Sequence, residues 1–286
     1  MARASAKEKK QERYSTHEVN SVGSYLDKLG EYSFVGKNYW FRGVGNFSHS
    51  LIPSLFRHKG SSTKAEFSEL ELNLNATFRM RAFPYAESYK WQDDVWAQLF
   101  FMQHYRIPTR LLDWSGSPLV ALHFALTSVR LNAQGAPETD AAVWVLNPVE
   151  WNKSVYAGTG FDGKILMPGN ADARLKRYSP DEVYGFPTNM PPVALRGVHN
   201  SARIVAQQGF FTIFGPEKKS LEDFFSEAKD SNDQYIFPND CLFRLKIPKG
   251  EILQMKNEIF SLGVSESTIY PDLEGLAAEM KRIGGF

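Results

Sequence analysis

Six consecutive apolar residues, Ala141–Leu146, end at Asn147-Pro148. The run is too short for a helix apolar on every side, and the Asn-Pro pair is turn chemistry, so it reads as a strand buried in a sheet. A strand without a polar face needs other elements packed around it, and the rest of the chain must supply those layers. The strand-like stretches 38–42, 109–114, 209–214 and 241–247 read as further strands. Helical spacing fills the intervals. Over 66–83, Leu70, Leu72, Leu74, Phe78 and Met80 recur, with acids early and Arg79 and Arg81 late. Over 91–105, Trp91, Val95, Leu99 and Met102 form one stripe, broken by Ile107-Pro108. Residues 19–29, 249–262 and 272–282 also show helical spacing. Ser117-Pro118 opens a helix through about residue 130, with Ser as N-cap and Pro at the first helical position. Gly43-Val44-Gly45-Asn46 is turn chemistry. An α/β-type domain is the expectation.

The chain has 286 residues, 43% of them hydrophobic, enough for one elaborated domain with a packed core. Residues 1–15 are polar and read as a flexible tail, leaving 16–286 as a single domain. Around 151–200 the chain turns rich in Gly, Pro, Asn and Asp and reads as a loop-rich insertion. The first thirteen residues lack the apolar core of a signal peptide, and no stretch is long enough to span a bilayer, so a cytoplasmic location without membrane contact is expected.

With 33 basic and 32 acidic residues the net charge is +1, far from the basic field that holds nucleic acid globally. A polyanion would therefore meet a local patch. Arg174, Lys176 and Arg177 are one candidate, and a solvated surface is the other reading of the same charges. Cys241 is the only cysteine, which excludes a disulfide or a zinc cluster built on thiolates, and in its strand-like run it reads as a buried bystander. There is no phosphate loop of the Gly-x-x-x-x-Gly-Lys type, no His-Glu-x-x-His helix and no Gly-x-Ser-x-Gly elbow. The histidines are scattered and no two lie four apart, so a metal site is not expected. Gly43-Val44-Gly45 starts like a dinucleotide fingerprint but lacks its third glycine.

The polar residues set among apolar ones remain. Arg42 closes an aromatic run before a glycine. Burying its charge unpaired is costly, so it is either one half of a structural ion pair or an anion clamp. Gln103, His104, Thr109, Arg110, Asp113 and Ser115 form the densest polar stretch. Arg110 and Asp113 could simply pair, and His104 is as readily a satisfied buried histidine as a reactive one. The free N–H groups of the helix opening at Ser117 suit a phosphate. Gln207 and Gln208 precede Gly209 and an aromatic strand, where amides can tie a loop or read a ligand edge. Glu266 and Asp272 flank a short extended piece; solvation accounts for the first and helix N-capping for the second.

Together these segments resemble the FRG family, named for its Phe/Tyr-Arg-Gly motif: Phe41-Arg42-Gly43, then 51–57, the long run from Gln103 to Ala125, then 143–148, 203–212 and 270–275. FRG domains are held to be distant relatives of ADP-ribosyltransferases and occur in bacterial toxin–antitoxin and antiphage systems. The resemblance implies an α+β fold with a split, mostly antiparallel sheet gripping NAD+, which would be a consumed substrate rather than a permanently bound cofactor. It implies that Arg42, with N–H groups near Gly43 and Ser117, holds the pyrophosphate. His104, Tyr105, Thr109, Arg110, Asp113, Trp114 and Gln207 would surround the rest, with Tyr105, Trp114 or Phe211 stacking nicotinamide. Glu266 would be the catalytic acid, with Asp272 or Gln207 as alternatives for that position. The acceptor of ADP-ribose would be nucleic acid, RNA foremost, or protein, and a toxin of this kind would need an antitoxin. A non-catalytic nucleotide- or nucleic-acid-sensing module, and a nuclease, are the rival readings.

Overall fold

The computed structural model describes residues 12–32, 38–85, 94–168, 172–186, 189–197 and 202–286. Seven strands form one sheet: β1 (Ser15–Glu18), β2 (Trp40–Val44), β3 (Leu111–Ser115), β4 (Ala141–Leu146), β5 (Val193–Leu195), β6 (Gly209–Ile213) and β7 (Leu242–Ile247), in the order β1-β7-β4-β2-β3-β6-β5. The outer pair β1–β7 is parallel and every other pair is antiparallel. Helices in the described residues are α1 (Val22–Gly30), α2 (Lys64–Arg81), α3 (Val95–His104), α4 (Pro118–Thr127), α5 (Pro148–Val155), α6 (Ala173–Lys176), α7 (Ala202–Ala206), α8 (Leu221–Glu227), α9 (Ile252–Ser261), α10 (Glu266–Ile269) and α11 (Leu273–Gly284). None of them is long and apolar enough to cross a membrane. The fold is α+β, with helices flanking a mainly antiparallel sheet.

The local signals explain the boundaries. Ser117 caps α4 by accepting from the Val120 N–H, and Thr63 and Glu66 form a reciprocal capping box on α2. Asp94 caps α3, so that helix begins after the Trp91 of the sequence stripe, which lies outside the described residues. Gly43 and Val44, read from sequence as a turn, continue β2 instead. A Cβ on Gly43 would stand 1.9 Å from the Ala121 carbonyl oxygen and 2.5 Å from the Ala125 nitrogen. The glycine is there because α4 lies directly against the strand, not because the chain turns.

Strand β4 is buried at every position, as its composition requires. Val143 and Val145 join Phe41, Phe243 and Leu245 under α1, α4 and α9 on one face. Trp144 and Leu146 join Trp40, Leu112 and Trp114 under Phe56, Phe67, Trp151 and Phe224 on the other. A third cluster, with Phe100, Leu111, Val193, Phe211 and Ile213, closes the β5–β6 end. Two strands escape the sequence pattern. Strand β1 has an exposed, polar composition, and β5 is three residues long within the segment read as an insertion. Residues 13–14, read as the end of a tail, touch the body: the Arg13 guanidinium donates to the Phe225 and Phe237 carbonyls, and Tyr14 lies edge-on to Trp144 at 4.9 Å.

The sheet is split. Strand β2 pairs with β4 over five positions, but with β3 only where Phe41 faces Ser115. Beyond that position the two strands diverge, and the gap opens into a cleft.

Candidate ligand-binding cleft

A cavity of about 670 Å³ follows the split between β2 and β3. It is walled by Arg42 and Val44 from β2, Asp113, Trp114 and Ser115 from β3, Phe124 from α4, Phe210 from β6, and Tyr270. Among the described residues, four arginines face it (Arg42, Arg57, Arg106 and Arg203) together with His49 and His104, against a single carboxylate, Asp113. The neutral chain therefore carries a locally cationic cleft, and such a site concentrates anions.

Arg42 bridges the split. Its Nη1 donates to the Asp113 main-chain carbonyl at 2.7 Å, and its guanidinium stands 3.9 Å from the Asp113 carboxylate, at the limit of an ion pair. The Arg42 side chain is 21% exposed, on the cavity side, and Asp113 is 55% exposed. Burial pushes the Arg42 pKa below its usual value, Asp113 opposes that shift, and Arg57 adds to it. Arg57 is lowered by burial and raised by Asp113, and donates through Nε and Nη2 to the Ile52 carbonyl. An anion between the two guanidinium groups would relieve the repulsion and replace lost hydration.

Asp113 is oriented from its other side. The Gln103 amide donates to its Oδ2 at 2.9 Å, and the Gln103 carbonyl oxygen accepts from the Thr109 hydroxyl. Thr109 is fully buried, so it positions Gln103 rather than touching a ligand. The histidines at either end are both held toward the neutral form. His49 is lowered by burial and then by Arg57 and Arg130, and His104 by burial and then by Arg203.

Of the residues singled out in the sequence, Arg42, Gly43, Gln103, His104, Asp113, Trp114, Ser115 and Gln207 line the cleft, and so does Phe211. Trp114 is 3% exposed and donates through its indole to Thr212, so it is a wall rather than a free stacking surface. The Gln207 amide donates to the Ile269 carbonyl at 3.3 Å. The others lie elsewhere. Tyr105 is 64% exposed and does not line the cleft, but its ring meets His104, which does. Arg110 is fully buried; its Nε bonds both Glu71 carboxylate oxygens at 3.0 and 2.8 Å, and its Nη atoms reach the Phe214 and Tyr178 carbonyls. Ser117 is committed to its cap, and its own N–H donates to Ser115. Glu266 forms a two-oxygen ion pair with Arg282, and Asp272 caps α11 by accepting from Gly275. Neither acid lines the cleft.

Arg57, Arg106 and His49 had no periodic signal to single them out: Arg57 closes a single 3-10 turn (Leu55–Arg57), and Arg106 and His49 sit outside helices and strands. Phe210 did have one, because it alternates with Phe211 on β6. Its ring stacks on Trp40 at 4.6 Å and faces the cavity.

The chain folds as an α+β domain whose mainly antiparallel sheet carries a cationic cleft beside the β2–β3 pair. Residues 37–134 match the family model of the FRG domain, and the chain carries an FRG domain there. The matched segment contributes Arg42, Arg57, Gln103, His104, Arg106 and Asp113 to the cleft, while Arg203, Gln207, Phe210 and Tyr270 come from beyond it. No curated protein and no solved structure matches the chain.

Proposed function

We propose that the cleft binds NAD+ and splits it, transferring ADP-ribose to an acceptor. The observation that carries this reading is the Arg42–Asp113 pair: a partly exposed guanidinium lining the cavity beside the one carboxylate among its described lining residues, with further cations and aromatic walls. Arg42 and Arg57 would hold the pyrophosphate, because a guanidinium presents a planar fork that matches phosphate oxygens. Phe210, backed by Trp40, offers a ring for a flat base. Asp113, oriented by Gln103, would accept from a ribose hydroxyl and stabilise the positive charge that develops at C1′. The C1′–N bond then breaks, nicotinamide leaves as a neutral base with the bonding pair, the acceptor's nucleophile bonds to C1′, and its proton passes to Asp113. Asp113 takes the role that the family resemblance suggested for Glu266, whose carboxylate is occupied by Arg282. A toxin role, and an antitoxin to restrain it, belong to the same proposal.

Binding without turnover is the second reading. It is favoured by the hold that Gln103 already has on Asp113 and by the lack of a second carboxylate among the described residues lining the cleft. Calorimetric titration with NAD+, with chromatographic detection of nicotinamide in the same samples, separates the readings. Binding with nicotinamide release supports transfer. Binding with intact NAD+ supports the sensing module. Absence of binding removes both.

A further inference from the structure

The cations of the cleft fall into two groups. Arg42 and Arg57 act on each other and on Asp113. Arg203 acts on His104, and Arg106 lies two positions after His104 in the chain and lines the same cavity. The first group has a carboxylate in its midst. In the second, neither Arg106 nor Arg203 has an acidic partner within ion-pair distance among the described residues, and both line the cavity. Arg203 is fixed from behind by the Tyr270 ring, with its guanidinium carbon 4.3 Å from the ring centre. Beside this group Tyr105 is 64% exposed, edge-on to His104 at 4.9 Å. An exposed aromatic ring that precedes Arg106 in the chain and touches a residue of a cationic cleft suits a single strand: the cations follow the phosphates and the ring stacks a base.

We propose that the cleft has a second anion subsite in which Arg106 and Arg203 grip the backbone phosphates of single-stranded nucleic acid and Tyr105 stacks one of its bases. Binding of the strand does not depend on the transferase reading. Only its role as the acceptor of ADP-ribose rests on it.

The test is fluorescence anisotropy of a short labelled single-stranded RNA with the full chain over a range of salt concentrations. The wild type should bind. The Arg106→Ala, Arg203→Ala double variant should bind more weakly, with a plot of log affinity against log salt shallower by about 1.4, the contribution of two phosphate contacts on a single strand. The Arg106→Lys, Arg203→Lys variant should keep the wild-type slope, which separates loss of charge from loss of fold. Tyr105→Ala should weaken binding roughly tenfold without changing the slope. The proposal is overturned if the wild type does not bind RNA, if the double alanine variant keeps wild-type affinity and slope, or if an acidic peptide displaces the RNA as well as unlabelled RNA does. The wild-type NAD+ titration is read separately: failure to release nicotinamide would end the transferase reading and leave the RNA result standing.

Discussion

Arg42 donates a 2.7 Å hydrogen bond to the main-chain carbonyl of Asp113 on the next strand of the split sheet, while its charge stays 3.9 Å from the Asp113 carboxylate. The bond holds the two strand ends together where their own pairing has stopped, and it leaves most of the guanidinium fork unspent. The same side chain therefore closes the sheet and faces the ligand.

Arg42→Lys tests the second role. Lysine keeps the charge but lacks the fork, so at least one charge-assisted hydrogen bond to phosphate is lost, worth about 1.5–3 kcal/mol, or roughly 10- to 100-fold in affinity. Calorimetric titration with NAD+ measures it. Unchanged affinity would move the phosphates away from Arg42.

Arg110 and Glu71 should matter to stability alone. Both are essentially excluded from solvent, and the pair is completed by Tyr184, whose hydroxyl donates to Glu71 at 2.7 Å. Removing one partner leaves the other charge buried, so Glu71→Ala should cost about 3–5 kcal/mol in urea unfolding. A loss below about 1 kcal/mol would mean that the pair is hydrated.

Gly43→Ala should destabilise the protein by an amount on the order of 3 kcal/mol, because the new methyl group overlaps the α4 backbone and neither element can retreat without opening the core. Gly250→Ala, where an added Cβ meets nothing within 4 Å, is the control and should stay within about 0.5 kcal/mol. Equal effects at the two sites would contradict the close strand–helix contact.

His123 on α4 is 2% exposed, and burial lowers its pKa from 6.5; Glu266 and a bond with Val264 oppose the shift, and Lys256 and Arg282 add to it. A base whose folded pKa is depressed takes up its proton more readily in the unfolded chain. Its stabilising contribution is complete above 6.5 and is lost as the pH falls from there through the folded pKa. Urea unfolding from about pH 7 to about pH 5 should therefore lose less stability in His123→Phe than in the wild type. Parallel losses in the two proteins would show that His123 is not the titrating group.

The frame of the fold was legible in the sequence wherever one local signal decided the outcome. The apolar run of β4, the Ser117-Pro118 start of α4 and the Asp272 start of α11 all stand where the residues put them. Strand β1 was not legible because its pairing with β7 fixes it, not its own composition. At the site, Arg42 and Asp113 stand out in the sequence, but the sequence does not separate a ligand arginine from a core arginine: what commits Arg110 to the core is its contacts with Glu71, Tyr178 and Phe214, all 39 or more positions away. The family resemblance points to Glu266, and the contact that occupies it, with Arg282, comes from the packing of α10 against α11, which local sequence does not show.

Nicotinamide release from NAD+ in the presence of RNA, followed for the wild type, Asp113→Asn and Glu266→Gln, tests the central claim most directly. The account predicts release by the wild type, a fall of roughly 10²–10³ in Asp113→Asn, and near-wild-type release by Glu266→Gln. Release that survives in Asp113→Asn but disappears in Glu266→Gln would contradict it.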